Sequence, residues 1–464
     1  MAAAATENSV TLRILIDKEK NKVVYAEAGK DFVDILLSFL TFPLGTIARL
    51  VANESDMNKV NVGSLNKLYE SVANLDVKHF WTETCKEMLL KPRNSMEAYC
   101  QNLKLNLDDT EKLKFFICDN WDCLRQVSGS KLSIFKDIKC KCGKLINREI
   151  FPNKILGIKH EGFVQDIDSF IIFDNLKVMP DNIQNCVSLP MSFGYEDFNA
   201  IKVDTVVNVT TKEMVDLLKC SLLSETPLTD FFLRKKQLLE IAQPRSSFLL
   251  DIGAKDNVRE EVIKLKLIVR KSNLKVLCAI AAEDFVDLLF TFMTLPLGSV
   301  EHMMKGNSCL GSIDNLYKSL VDLDGHKYLK SPSLKDELVK THLTQQFELH
   351  KQKLQIDEVP ISFYSCYTEY DYPGNYSNLP GLYNFGGFCY NSLVQYSYSD
   401  RHSSTFQTCS GKGFVKSSSL YMVTDGWIVT QTSSISIVSF LAMSNISPSD
   451  IEQRAISIGK KEVK

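Results

Sequence analysis

Asp31-Phe-Val-Asp-Ile-Leu-Leu-Ser-Phe-Leu-Thr-Phe-Pro-Leu-Gly45 returns later in the chain as Asp284-Phe-Val-Asp-Leu-Leu-Phe-Thr-Phe-Met-Thr-Leu-Pro-Leu-Gly298. The match extends back without a gap to Leu12 and Leu265, with roughly half of the positions identical. A tandem duplication follows from it. In each copy nearly every residue after the Asp-Phe-Val-Asp opening is apolar, so the spacing predicts a helix covered on almost every side rather than one wall of a surface. Asp31 and Asp284 stand where a carboxylate serves the free N–H groups of a first helical turn, and the Asp-x-x-Asp pair is read as capping rather than as an acid/base or metal pair. Pro43 ends the helix, and Gly45 permits a tight turn into a second helix around Thr46 to Val51.

Ahead of this strip, Leu12, Ile14 and Ile16 alternate with polar residues, a lysine-rich break follows, and Val23-Val-Tyr-Ala26 completes a β-hairpin. Leu265, Leu267 and Val269 open the second copy in the same way. Behind it, Gly63-Ser-Leu-Asn-Lys-Leu-Tyr-Glu-Ser-Val-Ala-Asn-Leu-Asp76 matches Gly311-Ser-Ile-Asp-Asn-Leu-Tyr-Lys-Ser-Leu-Val-Asp-Leu-Asp324, with half the positions identical. Its apolar residues have helical spacing, and Ser64 is placed as an N-cap. A third match runs from Gly162-Phe-Val164 and Gly413-Phe-Val415 into β-rich segments around Asp174-Asn175 and Asp425-Gly426, which predict a second hairpin in each copy. The first copy continues with a strand over Val203 to Val209 and a helix over Lys212 to Ser221. The second ends in segments, Ser436 to Met443 and Pro448 to Ala455, that read as helical.

These matches divide the chain into a first unit at 1–225, a linker at 226–259 rich in turn and charged residues, and a second unit at 260–464. The expected fold class is α+β: two similar tandem units, each with β-hairpins and packed helices, meeting across a pseudo-twofold interface. Part of the joint, Leu228 to Ala242, reads as a helix packed on the first unit.

A chain of 464 residues with 45% hydrophobic content can bury an ordinary core in each unit, and a net charge of −2 argues against global attraction to nucleic acid or anionic membranes. The first residues carry neither a secretory signal nor a transit segment, and the apolar runs fall short of the ~20 residues a membrane helix needs. The expected location is cytoplasmic or nuclear, with the thirteen cysteines reduced.

Four of those cysteines form a constellation. Cys118-Asp-Asn-Trp-Asp-Cys123 and Cys140-Lys-Cys142-Gly-Lys144 offer two close pairs of thiolates, which is what a closed tetrahedral structural zinc requires. Cys118, Cys123, Cys140 and Cys142 are the expected ligands, in a ribbon-like loop at about 113–150 within the first unit. Four plain thiols in a surface loop are the alternative. A site with all four positions filled by protein stiffens its loop and activates no water. Lys131, Lys136, Lys139, Lys141, Lys144 and Arg148 surround it, so a nucleic-acid contact through this basic loop is a further reading.

The second unit has no such pairs; nine tyrosines between Tyr364 and Tyr398 mark a loop at about 361–400 that is either an adhesive surface or an insert folded on itself. The enzyme templates fail in turn. Ser410-Gly-Lys-Gly lacks the frame of a phosphate loop, no G-x-G-x-x-G or G-x-S-x-G occurs, and the seven histidines form no H-E-x-x-H.

The Asp-Phe-Val-Asp…Pro-Leu-Gly strip, the Gly-Ser…Leu-Tyr-x-Ser helix, the Cys142-Gly-Lys-Leu-Ile-Asn-Arg-Glu149 run and the Gly-Phe-Val hairpin resemble the plant family catalogued as domain of unknown function 674, over nearly the whole chain. The resemblance implies an intracellular plant protein with a duplicated domain, brings no activity or catalytic residue with it, and places recurrent cysteines at the four positions named. The leading expectation is a non-catalytic interaction or scaffold protein with a protein partner, one structural zinc and no membrane association. The alternatives are an enzyme of unrecognised class with its site in the cleft between the units, and a nucleic-acid-binding protein using the cysteine loop.

Overall fold

The computed structural model describes residues 8–52, 62–81, 83–108, 110, 114–120, 138–139, 142–150, 162–166, 169–181, 201–234, 262–344, 358–359, 363–366, 381–383, 393–396, 413–417 and 419–459. Contacts divide the chain into two compact bodies, each discontinuous in sequence: one of Met1–Asp109, Glu161–His342 and Phe414–Lys464, the other of Thr110–His160 and Leu343–Gly413.

The larger body holds two antiparallel five-stranded sheets. In the first, β1 (Ser9–Asp17) and β2 (Lys22–Ala28) form the expected hairpin, followed by β3 (Phe170–Phe173), β4 (Val178–Pro180) and β5 (Ile201–Thr210), in the order β4-β3-β2-β1-β5. In the second, β6 (Ile263–Arg270), β7 (Val276–Ala281), β8 (Tyr421–Thr424), β9 (Val429–Gln431) and β10 (Ile451–Ile458) lie in the order β9-β8-β7-β6-β10. Alternation sets the faces: Val10, Leu12 and Ile14 are buried while Thr11 and Arg13 between them are exposed. β10 corrects the helical expectation for Pro448 to Ala455. A single 3₁₀ turn, Pro448–Asp450, precedes a strand that pairs with β6 from Ile458↔Ile263 to Ile451↔Arg270. An open sheet edge offering eight paired residues overrides local helix preference there. Asp450 anchors the pairing by accepting from Arg270 Nε, Ser272 N and Ser272 Oγ, each at 2.8 Å.

The helices of this body include α1 (Lys30–Thr41), α2 (Leu44–Ala52), α3 (Ser64–Asn74), α4 (Glu83–Leu90), α5 (Thr211–Leu223), α6 (Pro227–Leu233), α7 (Glu283–Thr291), α8 (Leu297–Met303), α9 (Ile313–Asp322), α10 (Pro332–Val339) and α11 (Ser434–Met443). α1 is buried continuously from Phe32 to Thr41, as its composition requires. The two Pro-Leu-Gly corners meet: Leu44 N donates to Leu295 O at 2.8 Å, Leu297 N donates to Phe42 O at 2.9 Å, and Pro43 faces Pro296 as an antiparallel bridge. Glycine is needed where the chains close in, since a Cβ at Gly45 would stand 2.9 Å from the Met293 carbonyl oxygen and one at Gly298 2.9 Å from that of Leu40.

The helices are exchanged between the sheets. α3 follows the first sheet's hairpin but docks on the second sheet, where Ser71 Oγ accepts from Val429 N of β9 at 3.0 Å. α9 follows the second sheet's hairpin and docks on the first, where Ser319 Oγ accepts from Val178 N of β4 at 2.9 Å. The bridges Phe80↔Val415 and Val164↔Leu329 repeat the crossing. One hydrophobic core accordingly contains residues of β1, β2, α1, α5, α9 and α10 together. Among the described residues no helix is long and apolar enough to cross a membrane.

The smaller body has two three-stranded antiparallel sheets. Leu145–Ile150 lies between Phe115–Cys118 and Ile138–Lys139; Phe363–Cys366 lies between Gly381–Tyr383 and Leu393–Tyr396, so the tyrosine-rich stretch contains strands. Leu343–Thr344 pairs in parallel with Glu358–Val359.

Candidate functional site

The described part of the cysteine loop comprises a strand and a hairpin. Phe115–Cys118 carries the first thiol out on its last residue, and the hairpin joining Ile138–Lys139 to Leu145–Ile150 carries Cys142 on its turn, where Gly143 takes φ +86°. Cys118 is buried and Cys142 exposed. Their sulfurs are 3.5 Å apart, and Asn120 N donates to Cys118 Sγ at 3.5 Å. That separation is far beyond the ~2.05 Å of a disulfide. It is close to the ~3.8 Å edge of a tetrahedron of thiolates around zinc with ~2.3 Å bonds. Cys123 and Cys140 lie outside the described residues, and among those described no three His, Cys, Asp or Glu side chains converge as a metal site would need. Arg148 Nε stands 3.9 Å from Asp119 Oδ1 beside the pair.

A second pair of sites was read differently from sequence. Gly29 and Ala282 occupy the N-cap positions of α1 and α7 without side-chain caps, and Asp31 and Asp284 lie in the first turns instead, where Asp284 Oδ1 accepts from Phe285 N at 2.9 Å as expected while Asp31 pairs with Lys104 at 3.3 Å. The second aspartate of each Asp-x-x-Asp carries the function. Asp34 Oδ1 accepts from Phe163 N and Val164 N, both at 2.8 Å, and Asp287 Oδ1 accepts from Phe414 N at 2.7 Å and Val415 N at 3.0 Å. Each carboxylate thus clamps the Gly-Phe-Val turn of its own sheet against its helix. Gly162, at φ +73°, is fitted so closely that a Cβ would stand 2.1 Å from Asp34 Oδ2. Burial pushes the Asp34 carboxyl up to about 7 against the pull of the two amides. Asp287 is pushed up to about 8, by burial first and further by the neighbouring Glu283 and Asp284 charges. The signal was present in the sequence: both the aspartate and the Gly-Phe-Val it grips recur in both copies.

A third carboxyl, Glu301 of α8, is fully buried and pushed up to about 7, chiefly by burial and also by Asp314. Ser308 Oγ contacts Glu301 Oε1 and lies 2.8 Å from Asp314 Oδ1. One hydroxyl has one proton, so a protonated Glu301 donating to Ser308, which donates to Asp314, completes the chain. These three carboxyls are held by hydrogen bonds that fasten turns. A cavity of about 370 Å³ lies elsewhere, lined by Asn8, Leu50, Leu107, Thr210, Lys212 and Val215 among others, and none of the three opens into it.

Large apolar surface is also exposed. α11, apolar over most of its length, buries no residue fully: Ile437, Phe440 and Leu441 rest on Ile268, Cys278 and Met422 of the second sheet, while Ile435, Val438 and Met443 are 78%, 66% and 86% exposed. Sequence foresaw this helix but not its open outer face.

No curated protein and no solved structure matches the chain. A family described as "Protein of unknown function (DUF674)" matches residues 6–461, and the chain belongs to that family.

Proposed function

We propose that this chain is a non-catalytic interaction protein of the cytosol or nucleus, built from a duplicated unit and carrying one structural zinc. The observation that carries the interaction reading is the outer face of α11, where three large apolar side chains stand in solvent on an ordered helix. The duplication is supported by the matching strand orders of the two sheets and by pairs of equivalent contacts, Asp34 with Asp287 and Ser71 with Ser319. The zinc is supported by the 3.5 Å approach of Cys118 and Cys142 at the mouth of a hairpin. Cys118, Cys123, Cys140 and Cys142 are its ligands, and the ion ties the strand ending at Cys118 to the hairpin that carries Cys142.

Elemental mass spectrometry on the purified protein is expected to find about one zinc per chain, lost when Cys140 and Cys142 are both changed to Ser. No metal in the wild-type chain would remove the centre from the proposal. A photo-crosslinking residue at position 438 is expected to trap a specific partner from a cell extract, and trapping nothing above the level of an exposed polar position would count against the interaction reading.

A further inference from the structure

In the first copy, α5 and α6 cover a surface made by both halves of the larger body. α5 lies over α2, burying Leu50 and Val51, and its C-terminal turn receives the start of α9: Ser312 N donates to Ser221 O at 2.9 Å and Ser312 Oγ donates to Ser224 O at 2.8 Å. Gly311 is pressed so near that a Cβ would stand 2.6 Å from Ser221 O. α6 then seals the hairpin turn, where Thr229 N and Thr229 Oγ1 each donate to the Asp174 carboxylate at 2.8 Å and bury it.

The equivalent surface on the other side of the exchange is uncovered among the described residues. Met303 and Met304 stand in the register of Leu50 and Val51 and are 42% and 41% exposed. Gly63 stands in the register of Gly311, has the same φ of +56°, and has nothing within 4 Å of where a Cβ would lie. Asp425, in the register of the buried Asp174, is exposed. The two glycines take the same left-handed conformation, and among the described residues only the place at Gly311 is filled.

We propose that this open surface is a docking site for an amphipathic helix presented by a partner protein. The claim rests on the duplication and interaction readings above and assigns them a place. The filled copy defines the occupant. It is a helix of about three turns whose apolar residues repeat as Met214, Leu217, Leu218 and Leu222 do, laid over the two methionines with its last-turn carbonyls toward Ser64. Methionine pairs suit such a role because the side chain adapts to different partners. Lys67, standing where the filled copy has Asn315 and reaching across Gly426, adds a positive charge that complements the negative C-terminal end of the occupant's helix dipole.

The probe is a fluorescein-labelled peptide of this chain's own residues Thr210–Arg234, titrated into the full-length protein and read by anisotropy. Saturable one-to-one binding is expected, at least tenfold weaker to the double variant M303K/M304K and unchanged in E19K, a charge reversal in the exposed turn between β1 and β2. Both methionines are exposed, so circular dichroism melts are expected to match wild type. Failure to bind, equal binding to M303K/M304K, or binding that appears only once residues 235–261 are removed would each overturn the site. Partner capture at position 438 without peptide binding would sink this site and leave the interaction reading standing.

Discussion

The residues that set the behaviour of this fold are the paired aspartates. Asp34 and Asp287 are ordinary carboxylates in an unfolded chain and are pushed to about 7 and about 8 by burial in the folded one. Between these values and the ordinary one near 3.8, the folded state therefore holds protons that the unfolded state has lost. Their contribution to stability is fully present in acid and is lost as the pH rises through about 7 and about 8. A thermal-melt series from pH 5 to 8.5 is expected to fall with pH in the wild type. It should be flatter in the double variant D34N/D287N, where each Asn Oδ1 still accepts both amides. A double variant as steep as the wild type would assign the slope to other groups. Asp34→Ala, which strands two buried N–H groups, costs about 2–5 kcal/mol on the same scale.

Among the elements, helices were legible and their destinations were not. The apolar spacing of Leu65, Leu68 and Val72 identifies which face of α3 is buried, and that face reads the same whichever sheet receives it. Ser71 and Ser319 supply what periodicity lacks, because each hydroxyl bridges its helix to a strand of the other sheet: it donates to the carbonyl four residues back and accepts a strand N–H. S71A and S319A are each expected to cost about 1–2 kcal/mol in urea denaturation, and the double variant the sum, since the sites share no partner. The Asp-Asn and Asp-Gly hairpins were legible in position but not in type. Leu176 and Trp427, rather than glycine, take the left-handed position at φ +60° and +63°, and burial of Leu176 offsets the strain of ~1–2 kcal/mol. β10 escaped because Ile451 to Ile458 has no strong period of its own; the edge of β6 decides it. Of the four cysteines read from spacing as zinc ligands, the described residues contain Cys118 and Cys142, whose sulfurs lie 3.5 Å apart.

At the scale of the molecule, the exchange makes the two halves of the larger body mutually dependent. Each sheet takes its inner cover from a helix encoded with the other, and the Pro43–Pro296 contact sits where the two crossings meet. Fragments divided in the segment 235–261 are expected to be unfolded or aggregated when expressed singly and to give native circular dichroism when co-expressed. A first fragment that melts cooperatively alone would contradict this dependence.

The same crossing governs how the chain is born. Ser71 is 358 residues upstream of the amide it must meet on β9. At a synthesis rate of roughly 5–20 residues per second, α3 waits on the order of 20–70 seconds after leaving the ribosome with its apolar face bare. The first half cannot finish folding during its own translation, so in the cell this protein is a natural client for chaperones that shield nascent helices until the last strands emerge.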